Sequence, residues 1–153
     1  MARSMLHRAG FLFSPILSAE EIMNYFNILK SLKTFLVDDD EFIRDSLNIA
    51  FTNNGCFLET AENAEEGFQA LKKERFDIII SDLKLPGKDG LEFFRTVRSS
   101  QPQSLCVLIT AYRDKIISSQ VSAMGIHDFI EKPFSVGLLV QSLVEMIQSR
   151  SNN

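Results

Sequence analysis

From residue 33 onward, short apolar runs alternate with longer stretches whose apolar residues recur at helical spacing. Residues 34–37 are an apolar run stopped by Asp38, Asp39 and Asp40. Phe42, Ile43, Leu47, Ile49, Ala50 and Phe51 then follow in a helical pattern until Asn53-Asn54-Gly55 ends it. Residues 56–60 form a weaker second strand, and residues 64–73 carry Ala64, Phe68 and Leu71 on one helical face. The stretch 76–80 contains three consecutive isoleucines. A strand that is apolar on both sides belongs inside a parallel sheet covered on both faces. Pro86-Gly87-Lys88-Asp89-Gly90 marks a turn, after which Leu91, Phe93, Phe94 and Val97 resume the helical period until Pro102. A fourth strand over 105–109, a helix over 115–124 ending at Gly125, a fifth strand over 126–130 and a last helix over 136–147 complete the pattern.

Five strands alternating with five helices predict a doubly wound α/β fold, a parallel sheet with right-handed crossovers and helices on both faces. Composition narrows the function without altering this picture. The 153 residues fit one domain with a real core. A net charge of −4 lacks the basic excess that direct nucleic-acid binding needs. No apolar run approaches the roughly 18 residues of a membrane span. Cys56 and Cys106, the two cysteines, read as small core residues of a reducing compartment rather than a disulfide framework.

In open α/β sheets, ligands bind at the carboxyl ends of the strands. Just past the predicted strands stand Asp38 and Asp39, Asp82, Thr110 and Lys132. Three carboxylates, a hydroxyl and an ammonium therefore converge on one crevice. Carboxylates a few ångströms apart repel, and a hard divalent cation such as Mg2+ removes that cost. An ionised carboxylate can also attack phosphorus to give an acyl phosphate. The lysine and the threonine hydroxyl would neutralise and bind the phosphoryl oxygens. Asp40 and Glu41 are better explained as capping residues of the following helix.

Four motifs resemble the receiver domain of two-component response regulators: Phe35-Leu36-Val37-Asp38-Asp39, the run from Ile78-Ile79-Ile80-Ser81-Asp82 through Leu83-Lys84-Leu85-Pro86-Gly87-Lys88-Asp89-Gly90, Leu108-Ile109-Thr110-Ala111, and Phe129-Ile130-Glu131-Lys132-Pro133-Phe134. The resemblance spans residues 32–150. It implies a flavodoxin-like sheet of order 2-1-3-4-5, in which two strands separate those of Cys56 and Cys106, about 14 Å at the usual strand spacing. It also implies roles. Asp82 is expected to be the phosphoacceptor; Asp38, Asp39, Asp82 and the Lys84 backbone carbonyl to hold Mg2+; Thr110 and Phe129 to be the switch pair. Lys132 is expected to pair with the phosphoryl group through a cis Lys132-Pro133 bond. Lys84 and Tyr112 occupy positions that tune phosphoryl lifetime. The implied partners are a histidine kinase or histidine phosphotransfer protein and an unnamed downstream protein, with no nucleic acid or membrane. Phosphorylation-dependent dimerisation is left open.

The resemblance implies a cytoplasmic signalling module rather than a turnover enzyme, assisting only its own phosphorylation and slow dephosphorylation. Residues 33–150 are assigned to the receiver and 151–153 to a tail, an arrangement expected of a stand-alone receiver read out by protein contacts near Arg113-Asp114-Lys115. Residues 1–32 lie outside the resemblance. Arg3 and Arg8 followed by an apolar stretch weakly resemble a signal peptide, yet a secreted receiver would meet no phosphate donor. The expectation is a disordered leader followed by a helix over 19–32, or an upstream extension with translation starting at Met23. Ile22, Tyr25, Phe26, Leu29 and Leu32 would dock that helix on a partner or on the domain itself. The alternative activity is a metal-dependent phosphohydrolase on a related fold. Such enzymes want an acid two residues after the nucleophile, where this chain has Lys84. A flavin binder would want a glycine- and hydroxyl-rich loop where this chain has three aspartates.

Overall fold

The computed structural model describes residues 16–111 and 118–151. In chain order its elements are α1 (Ala19–Leu29), β1 (Lys33–Val37), α2 (Glu41–Asn53), β2 (Phe57–Ala61), α3 (Ala64–Lys73), β3 (Ile78–Asp82), α4 (Gly90–Ser100), β4 (Leu105–Ala111), α5 (Ser118–Ala123), β5 (Asp128–Lys132) and α6 (Val136–Ser151). The strands form one sheet in the order β2-β1-β3-β4-β5, parallel at every pairing. No helix among the described residues is long and apolar enough to cross a membrane.

The period-two geometry of strands sorts the apolar runs onto two faces. Leu36, Ile78, Ile80, Leu105, Val107, Ile109 and Ile130 pack with α1, α2 and α6. Phe35, Val37, Ile79, Cys106 and Leu108 point the other way, toward α3, α4 and α5. The isoleucine run therefore feeds both cores, as its unbroken apolarity requires. Cys56 and Cys106 are buried free thiols, with β1 and β3 between their positions.

Three strands lie two residues further along than the apolar runs suggest at one end or both. The expected 76–80 and 126–130 are observed as Ile78–Asp82 and Asp128–Lys132, and β4 extends through Ala111. Phe76 stays buried, but in the preceding turn, its N–H donating to Gln101 Oε1 and its ring stacked on Phe35. Ile126 closes the turn after α5 by donating to the Val121 carbonyl. At the other end the ladder continues through polar residues, pairing Asp82 with Ile109 and Ala111 with Lys132. Asp82, Thr110 and Lys132 consequently stand within their strands rather than beyond them. Cys56 lies one residue before β2, its N–H capping α2 at the Phe51 carbonyl.

The described residues contain six helices rather than five, because α1 precedes the sheet. Ser18 and Glu21 close its N-terminus with a reciprocal capping box. Phe26 and Leu29 are buried in the α2–α6 core, Phe26 meeting Phe51 edge-on at 5.3 Å between ring centres. The helix docks on its own domain.

Candidate functional site

β1, β3 and β5 end at one rim of the sheet, and each delivers an ionisable side chain there. Asp38 follows β1 directly. It is fully buried, its N–H donates to the Ala61 carbonyl at 3.0 Å, and its Oδ1 accepts from the Asp40 N–H at 2.9 Å. Its Oδ2 accepts no well-formed hydrogen bond but lies 3.1 Å from the Lys132 ammonium. Asp39 is exposed beside it. Asp40 caps α2 by accepting from the N–H groups of Phe42 and Ile43, the capping role expected of it.

Asp82 ends β3. Its Oδ1 accepts from the Lys84 N–H at 3.3 Å and its Oδ2 lies 3.0 Å from Lys132 Nζ. Gly90, at the start of α4, makes this corner possible. A Cβ there would stand 2.2 Å from the Asp82 carbonyl oxygen. Lys132 sits at the end of β5, separated from β3 by the whole of β4. Two strand spacings come to about 10 Å, so only a long side chain can bridge the two carboxylates. The Lys132-Pro133 bond is cis.

Oxygens of Asp38, Asp39 and Asp82 lie within 4.8 Å of one another. Burial pushes the Asp38 carboxyl up to about 6, and the Asp82 charge adds to this. The Asp40 amide and the Lys132 charge oppose the rise without cancelling it. For Lys132 burial works against the ammonium, but Asp38 and Asp82 outweigh it and hold its pKa above the ordinary lysine value. A buried carboxylate oxygen whose close partner is the Lys132 ammonium, beside two further aspartates, leaves hard oxygen donors that suit a small hard cation. The donor set fits magnesium.

The remaining expected residues are distributed around this cluster. Thr110 is buried in β4 beside the site, its hydroxyl donating to the Ala111 carbonyl at 3.3 Å. Phe129, opposite Leu108 on β5, is half-buried against the α3–α5 core. Lys84 is exposed, and its N–H donates to Asp82 Oδ1. Tyr112 and the Arg113-Asp114-Lys115 loop lie outside the described residues. The pattern of strand ends gave no hint of Arg44, whose Nη1 donates to the Asp38 carbonyl at 2.9 Å. The available signal was an arginine one turn into α2, directly behind the aspartates.

The family model for the response regulator receiver domain matches residues 34–144. Over 108 residues the chain is 34% identical to the C4-dicarboxylate transport transcriptional regulatory protein DctD of Rhizobium meliloti, covering 71% of this chain and 24% of that protein. It is 32% identical over 111 residues to the DNA-binding transcriptional regulator NtrC of Escherichia coli, with coverages of 72% and 24%. The chain thus spans about a quarter of the length of these curated relatives. Among solved structures it is similar to the chemotaxis response regulator CheY4 of Vibrio cholerae. That match has a TM-score of 0.69 and 29% identity, covering 75% of this chain and 98% of that one. A CheY-like receiver domain protein from Methanospirillum hungatei matches at a TM-score of 0.71 and 27% identity, with coverages of 80% and 99%.

Proposed function

The chain belongs to the response regulator receiver domain family, and on that premise we propose that Asp82 is the phosphoacceptor of a two-component phosphorelay. One observation carries the reading: the Asp82 carboxylate sits within 4.8 Å of two further aspartates and 3.0 Å from a lysine that reaches it across an intervening strand. In the transfer an Asp82 oxygen forms a bond to phosphorus as the P–N bond to the donor's imidazole breaks, the electron pair leaving with the imidazole nitrogen. Asp38, Asp39, Asp82 and the Lys84 carbonyl would hold magnesium, whose positive charge would offset that of the carboxylates and of the incoming phosphoryl oxygens.

Lys132 supplies the protein's own positive charge. On phosphorylation it exchanges its contact with the Asp82 carboxylate for one with a phosphoryl oxygen. Thr110 then donates its hydroxyl to the same group and Phe129 turns toward the space it leaves. Lys84 and Tyr112 set how readily water reaches the acyl phosphate. The donor is a histidine kinase or histidine phosphotransfer protein in the cytoplasm, and the signal leaves by protein contact on the α5–β5–α6 face.

Incubation with acetyl phosphate and Mg2+ tests the reading. Intact mass spectrometry should show one added phosphoryl group, lost with hydroxylamine or base. Asp82→Asn should show none. Labelling of Asp82→Asn at the parent rate would assign the acceptor elsewhere.

A further inference from the structure

Arg44 makes two contacts that belong together. Its Nη1 donates to the Asp38 carbonyl at 2.9 Å, and its Nη2 lies 3.7 Å from Glu62 Oε2. Glu62 immediately follows β2, whose last residue, Ala61, accepts from the Asp38 N–H at 3.0 Å. A closed ring results: Asp38 amide to Ala61, along the chain to Glu62, across to Arg44, and back to the Asp38 carbonyl. The Arg44 side chain is largely covered while that of Glu62 is exposed, so Arg44 is the part of this ring held in place by packing.

The Asp38 carbonyl belongs to the peptide unit that joins Asp38 to Asp39. Among the described residues no strand pairing fixes that unit, since the ladders with β2 and β3 both end at Val37. Asp38 is oriented on its side-chain side by the Asp40 amide. Asp39 is exposed, and its direction depends on the plane of the peptide unit before it. We propose that Arg44 is a positioning residue that locks this peptide plane and thereby aims the Asp38 and Asp39 carboxylates at a divalent cation. Groups that orient a metal's ligands from behind typically alter affinity by about tenfold or more when removed. The planar fork of arginine reaches two acceptors at once in fixed geometry, which a lysine ammonium on a flexible stem does not reproduce.

The inference rests on the Mg2+ site proposed above, and calorimetric titration of the full chain with MgCl2 separates the two. Arg44→Lys should weaken Mg2+ binding by about tenfold while keeping its charge, and Arg44→Ala by at least as much. Glu62→Gln, which loosens the far end of the ring, should shift affinity in the same direction by a smaller factor. Urea unfolding in EDTA serves as the control. Arg44→Lys should unfold near the parent midpoint, so that its loss of affinity is not a loss of fold. Parent-like Mg2+ affinity in Arg44→Lys and Glu62→Gln would overturn the positioning role. Absence of Mg2+ binding by the parent would overturn the site itself.

Discussion

At the residue scale, the site is held in tension by Asp38. Its carboxyl is completely buried, and burial raises its pKa to about 6, well above the 3.8 of a free side chain. A raised carboxyl favours the protonated fold, so its contribution to stability is fully present below about pH 4 and is lost as pH climbs through 6. In metal-free protein this should cost roughly 2–3 kcal/mol between those limits. Urea midpoints in EDTA should fall over that interval in the parent and stay flatter in Asp38→Asn. Cation binding needs the ionised form and runs the other way. Apparent Mg2+ affinity should therefore rise about tenfold per pH unit below 6 and level off above 7, as read by calorimetry at pH 5, 6, 7 and 8. An affinity that does not change from pH 5 to 8 would mean that Asp38 is ionised throughout and is not the titrating ligand. The sequence placed Asp38 in the site because of its position after an apolar run. It could not reveal that one of its oxygens is sealed away from every well-formed hydrogen bond, because burial comes from packing on all sides rather than from local pattern.

At the element scale, the order of strands and helices was legible because each element repeats its own hydrophobic period over a full length. The ends were less so. β3 and β5 slip two residues toward the site because Phe76 and Ile126 continue the apolar run while serving in turns. Apolarity reports burial, whereas strand limits follow backbone pairing, and the two part company at a sheet's rim. The helix over 19–32 was legible as an amphipathic pattern, but its partner was not, since Ile22, Phe26 and Leu29 would suit any apolar groove. The structure assigns them to α2 and α6, with Ile22 and Leu17 packed around Gly137 where α6 begins. Phe26 fills that interface against Phe51, and Cys56 Sγ lies 3.2 Å from the Phe26 carbonyl. Truncation of a buried phenylalanine leaves a cavity and typically costs about 3–5 kcal/mol. Phe26→Ala should accordingly lower the free energy of unfolding by about 3 kcal/mol in urea titrations. A change below about 0.5 kcal/mol, the range of surface substitutions, would show that α1 does not stay docked in solution.

At the scale of the whole molecule, α1 lies outside the family match at residues 34–144 yet inside the continuous core. Here α6 and α2 carry a further apolar layer contributed by α1. Phe26 and Leu29 are as deeply buried as the sheet residues beneath them. Removing residues 1–32 would strip this layer and open Phe51 and the start of α6 around Gly137 toward water. Exposed contiguous apolar surface promotes association. The shortened chain should therefore unfold at lower urea and elute from size-exclusion columns as a larger species at micromolar concentration. Its acidic cluster is built at the ends of β1 and β3, the opposite ends of these strands from the α1–β1 junction. Labelling by acetyl phosphate should consequently survive in whatever fraction remains folded. A truncated chain that is monomeric and as stable as the parent would assign α1 no part in the fold. One that is stable but no longer labelled would instead link the helix to the proposed acceptor site through the start of α6, where Leu17 and Ile22 approach Gly137. Comparison of both readouts on the same preparation distinguishes a structural cover from a coupled element.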